Sequence, residues 1–217
     1  PVNTLNAVML WMESYTREPQ RQITMQGVLA LASVLGGRKY QSQESNTTSM
    51  YLLVLGETGI GKNYIKEAIQ IFLEQSNLDN LLSGSGNTSS GAVFTALRLA
   101  PCHIQITDEM GKHLQTARKQ QNGQIAEGLT AMVEAYSSTT SIMVSKNYSN
   151  PKATLAELEA AKTIIKCPAI TQLGMATPGQ VYENLTTKEI EDGFLNRLIV
   201  VDISEPLMSQ QATGKLD

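Results

Sequence analysis

The residues with the clearest chemical potential form a glycine-rich segment that ends in a lysine. The segment reads Gly56-Glu57-Thr58-Gly59-Ile60-Gly61-Lys62-Asn63, and it matches the G-x-x-x-x-G-K pattern of a phosphate-binding loop, or P-loop. Glycines let the backbone curl so that its N–H groups face a phosphate, and the lysine and a helix N-terminus add positive charge. The competing interpretation is a glycine-rich turn with a solvated lysine.

The sequence on either side of this segment favours the phosphate-binding interpretation. An apolar run at residues 50–55 predicts a buried strand, and a helical pattern runs from Tyr64 to about Gln75. A strand before the glycines and a helix after them are the context that the pattern requires. We therefore predict that residues 56–63, together with Tyr64, bind the phosphates of a nucleotide.

Two adjacent carboxylates, Asp108 and Glu109, are the second candidate group. They follow a β-branched run at residues 102–107, which predicts a strand. An aspartate in this place can order Mg²⁺ and its waters, and the adjacent glutamate can act as the general base for an attacking water. Ligands bind at the carboxyl ends of strands in open α/β sheets, so both motifs should face one crevice. The alternative is an acidic pair in a solvated loop.

The spacing between the two motifs leads to a prediction about the sheet. Asp108 lies 46 residues after Lys62, which is long enough for a helix, a strand and a helix. We therefore expect the second strand to return beside the first.

A polar residue that senses the γ-phosphate or the attacking water is expected at a third strand end. The predicted strand at residues 169–176 is followed by Thr177 and Pro178. Thr177 is our first candidate, and Gln172 is a more distant one. Thr177 also suits the N-cap of a helix that has Pro178 in its first turn, and both roles are compatible.

One arginine, Arg197, directly precedes the last apolar run, residues 198–203. It is either a structural salt-bridge partner or an arginine finger that reaches the nucleotide of a neighbouring subunit. The residues alone do not separate these two roles.

Composition and periodicity predict one α/β domain. The chain has 217 residues and a formal net charge of −3, so any contact with DNA must come from local clusters or from repetition in an oligomer. Strand and helix patterns alternate, which predicts a mostly parallel central sheet flanked by helices. We divide the chain into an N-terminal helical lead-in packed on the core (1–45), a P-loop core (46–205) and a flexible tail (206–217). We find no stretch that predicts a membrane span or a zinc site.

The order of these motifs resembles that of AAA+ ATPases, with Walker A at residues 56–62, Walker B at 104–109 and sensor 1 at Thr177. More closely, the chain resembles the helicase-like domain of primase-helicase replication proteins of phages, prophages and plasmids, and more distantly MCM and superfamily-three viral helicases. The resemblance spans residues 23–203 and includes the lead-in at 27–38, Thr88-Ser89-Ser90-Gly91 and the closing motif Asp192-Gly193-Phe194-Leu195-Asn196-Arg197-Leu198.

The resemblance implies the ATP-hydrolysing motor domain of a replicative DNA helicase, with ATP and Mg²⁺ as cofactors. It implies a ring-shaped homo-oligomer, expected to be a hexamer, in which Arg197 completes the neighbour's ATP site. It also implies the cytoplasm of a bacterial host cell, and we expect the chain to be one segment of a longer phage or prophage protein. Two alternatives stay open: an AAA+ remodelling, assembly or transcription-activator-like factor that does not translocate on DNA, and an ATP-binding protein with weak hydrolysis.

Asn63 departs from the pattern, because a Ser or Thr hydroxyl that ligates Mg²⁺ usually follows the lysine. The Asn63 carbonyl oxygen can ligate a hard cation directly or through water. We expect weaker or rearranged Mg²⁺ binding rather than its loss, and the departure leaves the rate of hydrolysis open. The resemblance points the same way, because enhancer-binding AAA+ activators also accept a residue without a hydroxyl here.

Candidate DNA contacts are Lys146, Tyr148 and Lys152, which lie between predicted strands at 141–145 and 163–166. In the helicases that the chain resembles, a hairpin or insertion before sensor 1 carries lysines into the central pore. There the lysines contact backbone phosphates, and an aromatic ring can stack on a base. The alternative is an ordinary solvated surface.

Overall fold

The fold alternates helices with strands. The computed structural model describes residues 2–86, 88–119, 123–145, 154, 162–183 and 193–203. The helices are α1 (Val2–Glu13), α2 (Arg21–Gly36), α3 (Tyr64–Gln75), α4 (Ser90–Leu99), α5 (Met110–Lys119), α6 (Gln124–Ser137) and α7 (Pro178–Tyr182), with 3₁₀ turns at Asp79–Leu81 and Leu195–Arg197. The strands are β1 (Tyr51–Leu55), β2 (Cys102–Thr107), β3 (Ile142–Val144), β4 (Ile164–Lys166), β5 (Ala169–Ala176) and β6 (Leu198–Asp202).

Four of these strands form a parallel sheet in the order β2-β5-β1-β6. This confirms the predicted mixed α/β class with a parallel sheet flanked by helices. The prediction that β2 returns beside β1 is wrong, because β5 lies between them. All eight residues of β5 and all five of β1 are buried, whereas β6 is largely exposed. The two fully buried strands therefore occupy the middle of the sheet, where both faces are covered.

The helices cover the sheet on two faces, each with its own hydrophobic cluster. On one face α1, α2 and α3 pack on the sheet through residues such as Met12, Leu31 and Ile69. On the other face α4, α5, α6 and the β3–β4 pair pack around Tyr51 and Phe94. The two lead-in helices thus share a core with β1 and α3, although the predicted boundary at residue 45 stays a prediction.

Strands β3 and β4 form a separate antiparallel pair. Its ends are tied together where the Ser145 N–H donates to Thr163 O at 2.9 Å. The chain between them carries the three candidate DNA contacts, Lys146, Tyr148 and Lys152. These three residues lie outside the described residues, so their role stays a prediction, and so does the predicted tail at 206–217.

Local side-chain chemistry explains several element boundaries. Helix α4 begins where the Ser89 hydroxyl accepts the N–H of Ala92 at 3.1 Å, as a capping serine does. Next to the sheet, a single parallel bridge joins Leu82 to Ile104. No helix of the described residues is long and apolar enough to cross a membrane.

Strand β2 carries a fully buried histidine. His103 Nδ1 lies 2.7 Å from Ala100 O, and a carbonyl only accepts, so Nδ1 holds the proton. Nε2 is buried without a partner among the described residues. Burial lowers the pKa of His103, so the imidazole is neutral in the folded protein.

Buried His103 makes stability depend on acidity. Below pH about 6.5 the unfolded chain binds a proton there that the folded chain excludes, so the free energy of unfolding falls by at most about 1.4 kcal/mol per pH unit for this one group. Urea unfolding at pH 7.5 and 5.5 measures the loss. His103→Asn, whose amide can keep the bond to Ala100, should reduce the loss, whereas the control His113→Asn should not. Equal losses in wild type and His103→Asn would contradict this assignment.

Candidate phosphate-binding site

The glycine-rich segment connects β1 to α3 at the carboxyl end of the sheet. Gly59 and Gly61 have φ of 89° and 79°, a region that strains residues with a side chain. Space is open around Gly59, since a Cβ there would meet nothing within 4 Å. The loop therefore adopts a tight turn and leaves open space beside Gly59.

The loop is anchored to both strands that flank β1. The Gly56 N–H donates to Ala176 O at 3.1 Å, and the Ile203 N–H donates to Leu55 O at 2.9 Å. A Cβ on Gly56 would lie 3.0 Å from side-chain atoms of both Ile203 and Ile60. The first glycine of the pattern is therefore required for close packing between the loop and the end of β6.

The Lys62 ammonium lies over the ends of β1 and β5. It donates to Gly56 O and, at 3.0 Å, to Ala176 O. Burial lowers the pKa of Lys62, while the nearby carboxylates of Glu57 and Asp108 act in the opposite direction. Lys62 is thus held by neutral carbonyl groups, and an anionic phosphate oxygen would be a stronger acceptor for it.

Asp108 follows β2 and lies at the same edge of the sheet as Lys62. Its Oδ2 accepts a hydrogen bond from Lys66 Nζ at 2.6 Å, and both side chains are partly exposed. Lys66 is a residue of this site that the motif patterns do not predict. Its position is still a usable signal, because it lies in the first turn of α3, the helix that follows the loop.

Glu109 follows Asp108 in an unusual backbone conformation. Its φ is 56°, and a non-glycine residue there stores strain of about 1 kcal/mol or more, a feature that clusters at functional sites. Both carboxylate oxygens accept from Lys112 Nζ at 2.8 Å, in a pair whose side chains are more than half exposed. Lys112 therefore competes with water for the carboxylate of Glu109.

The two sensor candidates lie in different places. Thr177 directly follows β5, between the ends of β1 and β2, at the N-cap position of α7, and its side chain makes no capping bond. Gln172 is buried in the middle of β5, where its Nε2 donates to Thr107 Oγ1 at 3.0 Å. Gln172 is about 13 Å, or four residues, from the strand end, so its proposed sensor role does not fit its position.

Asn63 and Tyr64 start α3 in contrasting environments. Asn63 is exposed and its side chain makes no capping bond, so its amide is accessible to a cation or phosphate. Tyr64 is buried, and its hydroxyl is 2.8 Å from Thr24 Oγ1 and donates to Gln20 O at 3.0 Å. The Tyr64 ring is therefore committed to the lead-in, and only its backbone N–H remains for a phosphate.

Arg197 lies at the opposite end of the sheet. It precedes Leu198, which pairs with Tyr51 at the start of β1, roughly 15 Å along the strand from the loop. Its guanidinium donates to Gly193 O at 2.7 Å and to Ser137 Oγ at 2.9 Å, and it lies 5.7 Å from the centre of the Tyr136 ring. Among the described residues it has no carboxylate partner, so the salt-bridge alternative is not seen and neutral groups hold the guanidinium.

The residues present fit Mg²⁺ only if a ligand shares its coordination. Among the described residues there is no group of three or more His, Cys, Asp or Glu side chains that could hold a metal. Asp108 and Asn63 offer one carboxylate and one amide oxygen, and Mg²⁺ is commonly held by one or two carboxylates together with phosphates and water. A cationic group, the Lys66 ammonium, already lies against Asp108. Mg²⁺ therefore fits as a partner of a bound nucleotide.

No protein-family model matches this chain, and no curated protein matches it. The parallel sheet brings Lys62, Asp108 and Thr177 to one edge, and it places Gln172 and Arg197 elsewhere.

Proposed function

We propose that this chain is an ATP-hydrolysing motor domain of the AAA+ type, similar to the helicase-like domain of phage replication proteins. One observation carries the proposal. Lys62, on a glycine loop between a strand and a helix, donates to the last residue of β5, and Asp108 follows β2, the strand that pairs with β5, so both lie at one sheet edge. A phosphate-binding group and a metal-organising carboxylate in one crevice are what nucleoside triphosphate chemistry requires.

Binding would use groups that the folded chain already presents. The first turn of α3 begins directly after the loop, and the N–H groups at a helix N-terminus, together with the helix dipole, favour an anion. Lys62 would exchange its carbonyl partners, Gly56 O and Ala176 O, for phosphate oxygens. Thr177 is positioned between the strand ends, where its hydroxyl can donate to the terminal phosphate.

Hydrolysis would use Glu109 as the base. A water attacks the γ-phosphorus, Glu109 accepts the proton of that water, and the bond from the γ-phosphorus to its bridging oxygen breaks to leave ADP and phosphate. Mg²⁺, when bound, would neutralise charge on the phosphate oxygens, with Asp108 and Asn63 as the chain's ligands for the ion or its waters. The attacking water would share the carboxylate of Glu109 with Lys112, or replace Lys112 there.

A slower version of this activity is the second candidate, and two observations favour it. Asn63 supplies an amide where a hydroxyl usually ligates Mg²⁺. Both candidate carboxylates, Asp108 and Glu109, are paired with lysines in the ligand-free chain. An ATP-binding protein with weak hydrolysis would have this arrangement.

The position of Arg197 supports an oligomeric site. It is too far from its own loop to act there, whereas a neighbouring subunit's nucleotide can lie against this end of the sheet in a ring. We therefore propose a homo-oligomeric ring, a hexamer by resemblance, in which Arg197 exchanges its bonds to Ser137 and Gly193 for the neighbour's phosphate. A phage- or prophage-encoded protein in the bacterial cytoplasm is part of the same proposal.

Contact with single-stranded DNA is supported by the antiparallel pairing of β3 with β4. This pairing brackets the segment that contains Lys146, Tyr148 and Lys152, as expected for a hairpin or insertion before sensor 1. An AAA+ remodelling or activator-like factor, which does not translocate on DNA, shares the ATP site and differs in this segment.

Substitutions at the two ends of the crevice should separate binding from hydrolysis. Lys62→Ala should weaken ATP binding about tenfold or more, because a charge-assisted phosphate contact is lost. Glu109→Gln should keep ATP affinity and lower the hydrolysis rate by about 100-fold or more. Calorimetric titration and a phosphate-release assay measure the two effects. Lys39→Ala removes an exposed lysine elsewhere and should change neither, and Glu109→Gln with full activity would exclude Glu109 as the base.

The same phosphate-release assay distinguishes the helicase from the factor that does not translocate. Single-stranded DNA should raise the rate of the wild-type chain, and the double substitution Lys146→Ala/Lys152→Ala should remove the increase. A rate indifferent to DNA would reject the helicase proposal and leave the ATPase proposal intact.

Mixing two inactive variants tests the shared site. Lys62→Ala retains Arg197, and Arg197→Ala retains Lys62, so an equal mixture should recover roughly a quarter of the sites by random assembly into a ring. A mixture of Lys62→Ala with the double variant Lys62→Ala/Arg197→Ala has no intact site and is the control. Mixed oligomers that stay inactive would rule out action of Arg197 on the neighbouring subunit.

A further inference from the structure

The pair between Lys66 and Asp108 lies inside the proposed nucleotide site, yet neither P-loop chemistry nor helix stability requires it. Lys66 occupies the first turn of α3, where the helix dipole disfavours a cation. The side chains are 30% and 39% exposed and their charged atoms are 2.6 Å apart. The ammonium therefore has a specific acceptor, and water can still reach both groups.

The acceptor is the carboxylate that would organise Mg²⁺. A lysine ammonium is a compact cation with three donors. While it holds Asp108 Oδ2, a metal ion or a metal-bound water at that carboxylate has to share it with a second cation. Mg²⁺ brought in with a triphosphate carries twice the charge, and the phosphates supply most of its ligands. The two cations therefore compete for one carboxylate.

Asn63 makes this competition more consequential. The usual hydroxyl ligand is absent from the loop, and Asn63 offers only a neutral amide that is exposed at the start of α3. Asp108 is then the only carboxylate among the described residues that we place in the metal's surroundings. Whatever occupies Asp108 has a large effect on how tightly the metal–nucleotide complex is held.

We propose that Lys66 is a built-in counter-cation for Asp108, and that Mg²⁺ with nucleotide binds by displacing it. Lys66 thereby sets the Mg²⁺ concentration at which the site fills. This inference rests on the proposed nucleotide site, and it adds a positioning residue that acts through Asp108. The Lys66–Asp108 pair is neutral overall, whereas an unpaired Asp108 carboxylate would repel phosphate.

The test is a Mg²⁺ titration of nucleotide binding by the full chain. A fluorescent N-methylanthraniloyl derivative of ATP is held at fixed concentration, and Mg²⁺ is raised from a chelated baseline. Lys66→Gln keeps a long polar side chain and removes the charge. It should lower the half-saturating Mg²⁺ concentration by about fivefold, the size of one partly exposed ion pair. Affinity measured in chelator should stay within about twofold of wild type.

Two further variants show whether the shift in the Mg²⁺ midpoint comes from losing the Lys66–Asp108 ion pair or from losing any nearby positive charge. Lys112→Gln removes the same charge from the neighbouring pair with Glu109, and it should leave the Mg²⁺ midpoint near that of wild type. Lys66→Arg keeps a cation against Asp108 and should also retain the wild-type midpoint. Its retention would show that charge, rather than a change in folding, moves the midpoint in Lys66→Gln.

Each outcome decides between the inference and the function on which it rests. Equal midpoints in wild type and Lys66→Gln, with nucleotide bound by both, would overturn the counter-cation role and leave the nucleotide site intact. If Lys66→Gln no longer bound nucleotide in the presence of chelator, Lys66 would be a phosphate ligand, and its role as a counter-cation for Asp108 would be overturned. A wild-type chain that binds no nucleotide at any Mg²⁺ concentration would reject the proposed function itself.

Discussion

The carbonyl oxygen of Ala176 is the point on which the arrangement of the site depends. It accepts the N–H of Gly56 and the ammonium of Lys62, so the last residue of β5 fixes both ends of the glycine loop. That is possible because β5 lies between β1 and β2 and pairs Ala176 with Leu55 in parallel register. A shift of this register by one residue would replace the carbonyl and turn every side chain of β5 to the other face.

Lys62, Asp108 and Glu109 each already have a hydrogen-bond or ion-pair partner. Lys62 is bound by carbonyls, Asp108 by Lys66 and Glu109 by Lys112. A ligand therefore binds by exchange, replacing weak or partly solvated partners with stronger ones. Partly exposed ion pairs contribute roughly 1 kcal/mol or less, so these pairs hold the side chains in place without making displacement prohibitive. The strained backbone conformation falls at Glu109, the residue that we propose as the base.

The sequence predicts the elements of this fold well and their arrangement less well. Local patterns are sufficient to predict β1 and α3, because apolar runs and glycines act over a few residues. The position of β5 between β1 and β2 was mispredicted, because strand order depends on burial across the whole sheet rather than on spacing along the chain. The partners of Asp108 and Arg197 were also missed. These ion pairs and cation–ring contacts join residues far apart in sequence, and only Lys66, in the first turn of the helix after the loop, has a position that indicates its role.

We propose that the glycine loop and the end of β2 together form one nucleotide site. Hydrogen–deuterium exchange of the full chain, with and without saturating ATP and Mg²⁺, tests it most directly because it locates the ligand on the backbone. Backbone amides at residues 57–64 and 107–110 should exchange more slowly in the same titration, and those of β3 and β4 should change little. Unchanged exchange at 57–64 under saturating nucleotide, or protection confined to another part of the chain, would contradict it.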